Sequence, residues 1–362
     1  MKLAVAGGGT GGHLFPGLAV AELARERGAE HVVFFGAERG IESWAVPKAG
    51  FELLADKVHG IVGSSPVAAA RALFEMSAAT VRARREIRRR GIDVVLGLGG
   101  YASAPAVLAA RRAGIPVVIL EQNRRPGISN RALGRLATKV CTSFESSASS
   151  FPAGRAVCTG NPLRRGFAVR PPFEGRDLLL VFGGSGGARS LNRAVVAALA
   201  EMAKARPLPP IVHQVGKAFV DEVRAAYVAA SIEADVSAFI DDMPSVYARA
   251  RLAVCRAGAT SIAELIATGT PSVLVPLATS AGGHQLENAR ELETAGASVV
   301  VLDDESCARH LGAELERLLV NDAALLSMSD RAAAMGRPGA AERVLDILLA
   351  LVGEGPAPAI PR

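Results

Sequence analysis

The stretch LAVAGGGTGGHLFPGLAVAELARERG, residues 3–28, carries three signals in a row. Leu3 to Ala6 is a short apolar run of strand character, Gly7 to Gly12 hold five glycines around Thr10, and from Pro16 to Arg27 the apolar residues recur at helical spacing. A strand that runs through glycine into a helix opens a parallel α/β unit. The same order returns farther on: Leu178 to Phe182, then Gly183-Gly184-Ser185-Gly186-Gly187-Ala188-Arg189, then a helix over Leu191 to Ala203. Around the first unit, His31–Phe35, Asp93–Leu98, Pro116–Leu120 and Lys139–Thr142 read as strands and Pro66–Arg90 as a long helix. Around the second, Ile211–Gln214, Val236–Phe239, Leu252–Cys255, Ser272–Val275 and Ser298–Val301 read as strands, with helices at Leu311–Leu319 and Ala340–Leu351. The prediction is an α/β fold of two doubly wound, Rossmann-like domains, with a boundary near Gly160-Asn161-Pro162. The 362 residues suit two domains of ordinary size. Sheets of this kind bind ligands at the carboxyl ends of their strands, so a site in the cleft between the halves is expected.

Composition narrows the function classes. The chain is 50% hydrophobic and 21% charged, which excludes a disordered polyelectrolyte. Only 4% is aromatic, so Ala, Val and Leu must fill the cores. Residues 1–165 carry a formal charge of +11 and residues 166–362 one of −5, so the first half is the one suited to an anionic surface or ligand. Cys141, Cys158, Cys255 and Cys307 lie 17, 97 and 52 residues apart, which fits neither a CxxC pair nor a zinc spacing and reads as reduced thiols. The start reads as a first strand and not as a signal peptide. The longest uncharged stretch, Leu265 to Gly283, is broken by Pro271 and Pro276, which argues against a membrane-spanning helix.

A third cluster, Gly97-Leu98-Gly99-Gly100-Tyr101, also follows a strand. Glycine lets backbone N–H groups close on an anion at the positive end of a helix, so three such loops point to phosphate binding. Gly7, Gly9 and Gly12 also fit G-x-G-x-x-G, the dinucleotide fingerprint. That fingerprint wants an acidic residue ending the second strand, and Glu38 lies past it; one dinucleotide would also leave two loops without a task. Two separate diphosphates explain the loops better. There is no GxxxxGK[ST], so a P-loop ATPase is excluded.

Taken in order, GGTGGHLFPGLAVA (from Gly8), DVVLGLGGYASAP (from Asp93), PVVILEQN (from Pro116), TGNPLR (from Thr159), FGGSGGARSLN (from Phe182), FIDDM (from Phe239), CRAGATSIAELIATGTPSVLVPL (from Cys255) and HQLENA (from His284) resemble the MurG family over nearly the whole chain. These bacterial glycosyltransferases add N-acetylglucosamine to the undecaprenyl-diphosphate-linked muramyl-pentapeptide, lipid I. The resemblance implies the two-domain GT-B fold, no cofactor, and a peripheral enzyme on the cytoplasmic face of the plasma membrane. It implies residues 1–161 as the acceptor and membrane-facing domain, joined by a last helix at about 338–352, and residues 162–337 as the UDP-N-acetylglucosamine domain. Leu120, Gly186 and Gly283 depart from the family pattern, which usually has His, Gln and an acidic residue there. A glycosyltransferase with another lipid or aglycone acceptor, and an NAD-dependent oxidoreductase, are the alternatives.

Transfer from a nucleotide-sugar needs a base for the attacking hydroxyl and stabilisation of the departing diphosphate. Asp241-Asp242 and Asp303-Asp304 are not a D-x-D and read as loop and helix-start residues, so no metal is expected. Helix amides and hydroxyls must then offset the diphosphate charge. His13, closing the first glycine loop, is the preferred base, with Glu121 its rival. The resemblance puts the donor on Thr10, Gly11, Gly12, Asn123, Arg164, Ser185, Ile240, the run Ala259, Thr260, Ser261, Ile262, Ala263 and Glu264, and His284 with Gln285. Within that set, Arg164 and the Ile240 backbone take the uracil, Glu264 the ribose hydroxyls, and His284 and above all Gln285 the sugar hydroxyls. The acceptor diphosphate falls to Gly9, Gly99, Gly100 and Tyr101. For the membrane, the Pro66–Arg90 helix offers Arg82, Arg84, Arg85, Arg88, Arg89 and Arg90. Leu73, Met76, Thr80, Ala83 and Ile87 form its expected core stripe, leaving Phe74 as the outward anchor.

Overall fold

A computed structural model describes residues 1–57, 66–167, 170–280 and 283–353, with backbone alone for 66–70. The chain divides into two compact units, Met1–Arg164 with the segment from Gly339, and Arg165–Pro338.

In the first unit the order is β1 (Lys2–Gly7), α1 (Gly11–Glu26), β2 (His31–Ala37), α2 (Glu42–Lys48), β3 (Glu52–Asp56), α3 (Pro66–Arg90), β4 (Val94–Gly99), α4 (Ala104–Arg112), β5 (Val117–Glu121), α5 (Ile128–Gly134), β6 (Lys139–Thr142) and β7 (Ala156–Cys158). The strands form one sheet in the order β3-β2-β1-β4-β5-β6-β7, parallel throughout. Both faces are covered, so successive residues of a strand serve different cores. Leu3, Val5 and Phe34 pack with Leu14 and Leu18 of α1, while Ala4, Val33 and Phe35 pack with Ala83 and Ile87 of α3 and Val107 of α4.

The second unit repeats the design with β8 (Leu178–Phe182), α6 (Arg189–Ala203), β9 (Ile211–Gln214), α7 (Val220–Ala229), β10 (Asp235–Ser237), α8 (Met243–Arg249), β11 (Ala250–Cys255), α9 (Ala259–Thr268), β12 (Ser272–Leu274), α10 (His284–Thr294), β13 (Ser298–Val300), α11 (Cys307–Leu319) and α12 (Asp322–Ala334). Its parallel sheet runs β10-β9-β8-β11-β12-β13. The last helix, α13 (Ala340–Gly353), returns to the first unit, packs on α1 and puts Val344, Leu345 and Leu348 into its core. Arg343 Nε donates to the Thr159 carbonyl at 3.1 Å.

Three sequence expectations need correction. The first helix starts at Gly11, not Pro16, because a proline this near a helix start removes only the N–H that would bond Gly12. His13 therefore lies inside the first helical turn. The strand expected at Val236–Phe239 is confined to Asp235–Ser237. Leu73 is not in the core stripe of α3 but 56% exposed; Thr80, Ala83 and Ile87 of the expected stripe are buried, and Ala72 and Ala79 complete it. Leu73 is exposed and Met76 only half-buried because the helix turns its alanines inward, and alanine, small and common here, marks a buried face poorly.

A buried arginine holds the entry to the second unit. Arg176 is 4% exposed, with no carboxylate partner among the described residues. Its guanidinium donates to the carbonyls of Pro171 (2.8 Å), Pro172 (3.0 Å) and Thr268 (2.8 Å), and more distantly to Ala250 and Gly269. It thereby satisfies the carbonyl end of α9, where helical C=O groups lack intrahelical donors. Burial draws its pKa down to about 10, which leaves it charged at neutral pH.

Candidate functional site

In both sheets the strand order reverses direction at one place, between β1 and β4 in the first unit and between β8 and β11 in the second. Chains leaving neighbouring strands at such a switch point go to opposite faces, which opens a crevice beyond the carboxyl ends of the strands. The three glycine clusters, and the Gly258 turn after β11, all sit at these two places.

At the first crevice the loops after β1 and β4 lie side by side. Thr10 is the N-cap of α1 and its hydroxyl meets His13 Nδ1 at 2.9 Å, which fixes the imidazole. Gly99 has φ +97°, and a Cβ there would press on His13 Cδ2 (3.1 Å) and the Asn130 amide (2.8 Å). Glycine is thus required where the histidine, the second loop and Asn130 converge. Asn130 Nδ2 donates to Glu121 Oε2 at 2.9 Å. Glu121, 1% exposed, also accepts from the backbone N–H of Asn123 (2.8 Å) and of Gly127 (3.2 Å) and from Asn123 Nδ2 (3.2 Å). Burial raises its pKa, and these donors pull the other way. With both oxygens engaged, Glu121 is the organiser of the 122–130 loop. Gln122, donating to the Leu98 carbonyl at 3.0 Å, ties that loop to β4. Gly100 and the half-exposed Tyr101 form the outer lip.

Beneath the first loop is a carboxylate that the sequence reading passed over. Glu42 is wholly buried; its Oε2 accepts the Gly9 N–H at 2.7 Å and its Oε1 the Ala37 N–H at 3.1 Å. A side chain at Gly8 or Gly40 would collide with it. Gly9 was expected to offer its amide to a diphosphate, but that N–H is donated to Glu42. Its contribution here is to shape the loop.

At the second crevice, Gly187 has φ +74° and lies so close to the Val215 carbonyl that no Cβ fits. The loop of Gly183 to Ala188 therefore nests on the strand end after β9, leaving Ser185 exposed. Gln214, 2% exposed, donates through Nε2 to the Gly184 carbonyl (3.0 Å) and accepts the Ile240 N–H at Oε1 (2.9 Å). Below them His213 is fully buried between the Tyr227 hydroxyl (3.0 Å) and Asn192 Oδ1 (3.2 Å), and burial lowers its pKa to about 3, so the ring is neutral. Across the crevice α9 begins at Ala259, Thr260 and Ser261 after Gly258, which supplies no side-chain cap. Glu264, on the second turn with Ile262 and Ala263, is 6% exposed and accepts from the Tyr247 hydroxyl at 3.3 Å. Gln285 Oε1 accepts the Leu277 N–H at 2.9 Å, beside His284 at the start of α10.

The predicted residues thus fall into two groups. His13, Glu121, Thr10, Gly11, Gly12, Gly99, Gly100, Tyr101 and Asn123 belong to the first unit, and Ser185, Ile240, residues 259–264, His284 and Gln285 to the second. Arg164, assigned to the uracil by resemblance, is the last residue of the first unit, with its guanidinium 4.9 Å from the Phe15 ring centre. Three residues of the two acidic pairs have structural partners. Asp242 caps α8 through the Ser245 N–H, Asp303 pairs with Arg256 at 2.8 Å, and Asp304 accepts from Ser306. Glu42, Asn130, Gln214 and Tyr247 were missed because single polar residues outside a glycine motif give no periodic signal.

Residues 3–142 match the glycosyltransferase family 28 N-terminal domain and residues 178–344 the family's C-terminal domain. Relatives from Myxococcus xanthus and Trichlorobacter lovleyi, each 42% identical, are named UDP-N-acetylglucosamine–N-acetylmuramyl-(pentapeptide) pyrophosphoryl-undecaprenol N-acetylglucosamine transferase. The alignments cover 97% of this chain and 93% of the first relative, and 96% of this chain and 98% of the second. The crystal structure of MurG from Acinetobacter baumannii is similar with a TM-score of 0.81 at 31% identity, covering 96% of this chain and 99% of that one. A UDP-GlcNAc 2-epimerase from Neisseria meningitidis shares the fold at 15% identity with a TM-score of 0.69, covering 97% of this chain and all of that one.

Proposed function

Because the chain belongs to glycosyltransferase family 28, we propose that it transfers N-acetylglucosamine from UDP-N-acetylglucosamine to the muramyl 4-hydroxyl of lipid I, forming lipid II for peptidoglycan synthesis. The observation that carries this reading is the pair of switch-point crevices, one holding a fixed histidine and the other a buried carboxylate beside an uncapped helix start. His13 takes the proton of the acceptor hydroxyl, whose oxygen attacks the anomeric carbon from the face opposite UDP, and the configuration inverts. Glu121 holds the Asn123 to Asn130 loop against this histidine. The diphosphate leaves onto Ser185 and the amides of Ala259 to Ser261, where a helix start favours negative charge. Glu264 receives the ribose hydroxyls. No step is routed through a metal, so a chelator is expected to leave the rate unchanged.

Radiolabel transfer from UDP-N-acetylglucosamine to a lipid I analogue tests the reaction; no transfer to it, with transfer to another lipid or aglycone, would change the acceptor. Donor binding is tested with Glu264→Ala. Losing one charged hydrogen-bonding partner should weaken UDP binding by about 1.5–3 kcal/mol. Unchanged affinity in the folded variant removes the second unit as donor domain.

The membrane part of the proposal rests on α3. Among the described residues no helix is long and apolar enough to cross a membrane. Phe74 (75% exposed) and Val81 (70% exposed) share one helix face with Arg85 and Arg88, which also point to solvent. Leu73 widens the apolar part beyond what the sequence suggested. Arg82, Arg89 and Arg90 are instead engaged by Asp56, Glu86 and Glu52. Basic side chains near an anionic leaflet contribute about 1 kcal/mol each, within a Debye length. Sedimentation with anionic liposomes should show binding that falls with salt and weakens in Arg85→Gln/Arg88→Gln. Equal binding to neutral vesicles rejects this face as the docking surface.

A further inference from the structure

We propose that Gln214 is a positioning residue that sets the spacing between the two parts of a nucleoside diphosphate, and thereby its pyrimidine selectivity. The inference rests on the donor reading above. Gln214 ends β9, next to β8 in the sheet, and its side chain is buried at the root of the second crevice. One primary amide ties two segments of different duty: its NH2 donates to the Gly184 carbonyl in the glycine loop, and its oxygen accepts the Ile240 N–H. The neighbouring backbone reinforces the tie, with the Val215 and Gly216 N–H groups donating to the Ser237 and Ala238 carbonyls. On that donor reading the glycine loop serves the diphosphate and Ile240 the base.

No other side chain of this length holds both ends. Glutamate keeps the acceptor for Ile240 but turns a carboxylate oxygen toward the Gly184 carbonyl, and leucine keeps the volume and loses both bonds. The tie also decides what Ile240 can offer a base. Its N–H is committed to Gln214, so its carbonyl remains, an acceptor that fits the N3–H of uracil and opposes the N3 lone pair of cytosine.

The test measures binding of UDP, CDP and uridine to the full chain carrying Gln214→Leu or Gln214→Glu, with thermal melting and steady-state kinetics. The expected result is a loss of tenfold or more in UDP affinity, with uridine alone changed less than threefold, because only the joined ligand feels the spacing. In Gln214→Leu, CDP should weaken less than UDP, since the released Ile240 N–H can donate to cytosine N3. The KM for the donor should rise while the KM for the acceptor stays. If Gln214→Leu does not fold, Gln214→Glu carries the comparison of UDP with uridine, since it loses the bond to the Gly184 carbonyl. UDP affinity equal to wild type, or UDP and uridine falling by one common factor, overturns the proposal. Failure of the wild-type chain to bind UDP would instead strike the donor reading itself.

Discussion

Replacing His13 by alanine is expected to leave UDP affinity near the wild-type value while kcat falls by about 10²–10⁴, the range for a general base. The separation follows from position. His13 is in the first turn of α1, in the first unit, whereas the groups proposed for UDP other than Thr10, Gly11, Gly12, Asn123 and Arg164 lie in the second. Base action requires one tautomer: Nδ1–H donates to the Thr10 hydroxyl, and Nε2 keeps its lone pair for the acceptor proton. Gly99 admits the ring at its edge, so a Gly99→Ala chain should push on the same imidazole. Single-turnover transfer with both substrates saturating reads the chemical step. Retention of more than about a tenth of the rate would move the role to Glu121 or to no dedicated base.

Arg176→Met should destabilise the second unit by about 3–5 kcal/mol without touching either crevice. Removing the guanidinium leaves the Thr268 carbonyl buried and unpaired, at about 1–3 kcal/mol, and takes the charged donor from the part-buried bonds to Pro171 and Pro172, at about 0.5–1.5 kcal/mol each. Methionine recovers part of the volume, which keeps the sum near the middle of their combined range. Denaturant midpoints of the wild type and the variant check the figure. Arg176→Lys should be nearly as damaging, because an ammonium cannot reach carbonyls spread around a planar fork. A lysine variant as stable as wild type would show that charge alone, and not the fork geometry, holds this corner.

The fold was readable wherever a strand is buried on both faces. Leu178 to Phe182 and Val117 to Leu120 are unbroken apolar runs, and glycine marks the turns that follow β1, β4 and β8. What escaped was short or half-exposed. Glu52–Asp56 and Ala156–Cys158 are edge strands of mixed polarity, and Glu42–Lys48, Ile128–Gly134 and Met243–Arg249 are helices of seven residues, too brief for a helical period to appear. The site divided the same way. Motif-borne residues such as His13 and Glu264 could be singled out, whereas Glu42 and Gln214 act through backbone partners far away in sequence. Gln214 reaches Gly184 thirty positions back and Ile240 twenty-six ahead, a relation no local pattern encodes.

The return of α13 to the first unit has a consequence for how the chain is made. Val344, Leu345 and Leu348 belong to the same core as Leu3 and Leu14, yet a ribosome delivers them more than three hundred residues later. Residues 165–338 can condense while synthesis is still under way, since every strand of that sheet is contiguous. The first unit must wait with part of one face, beside α1 and over β4, uncovered until the last helix emerges. During that interval the nascent polypeptide exposes the apolar flank of α1 and β4 that α13 later covers, a natural holding point for a chaperone.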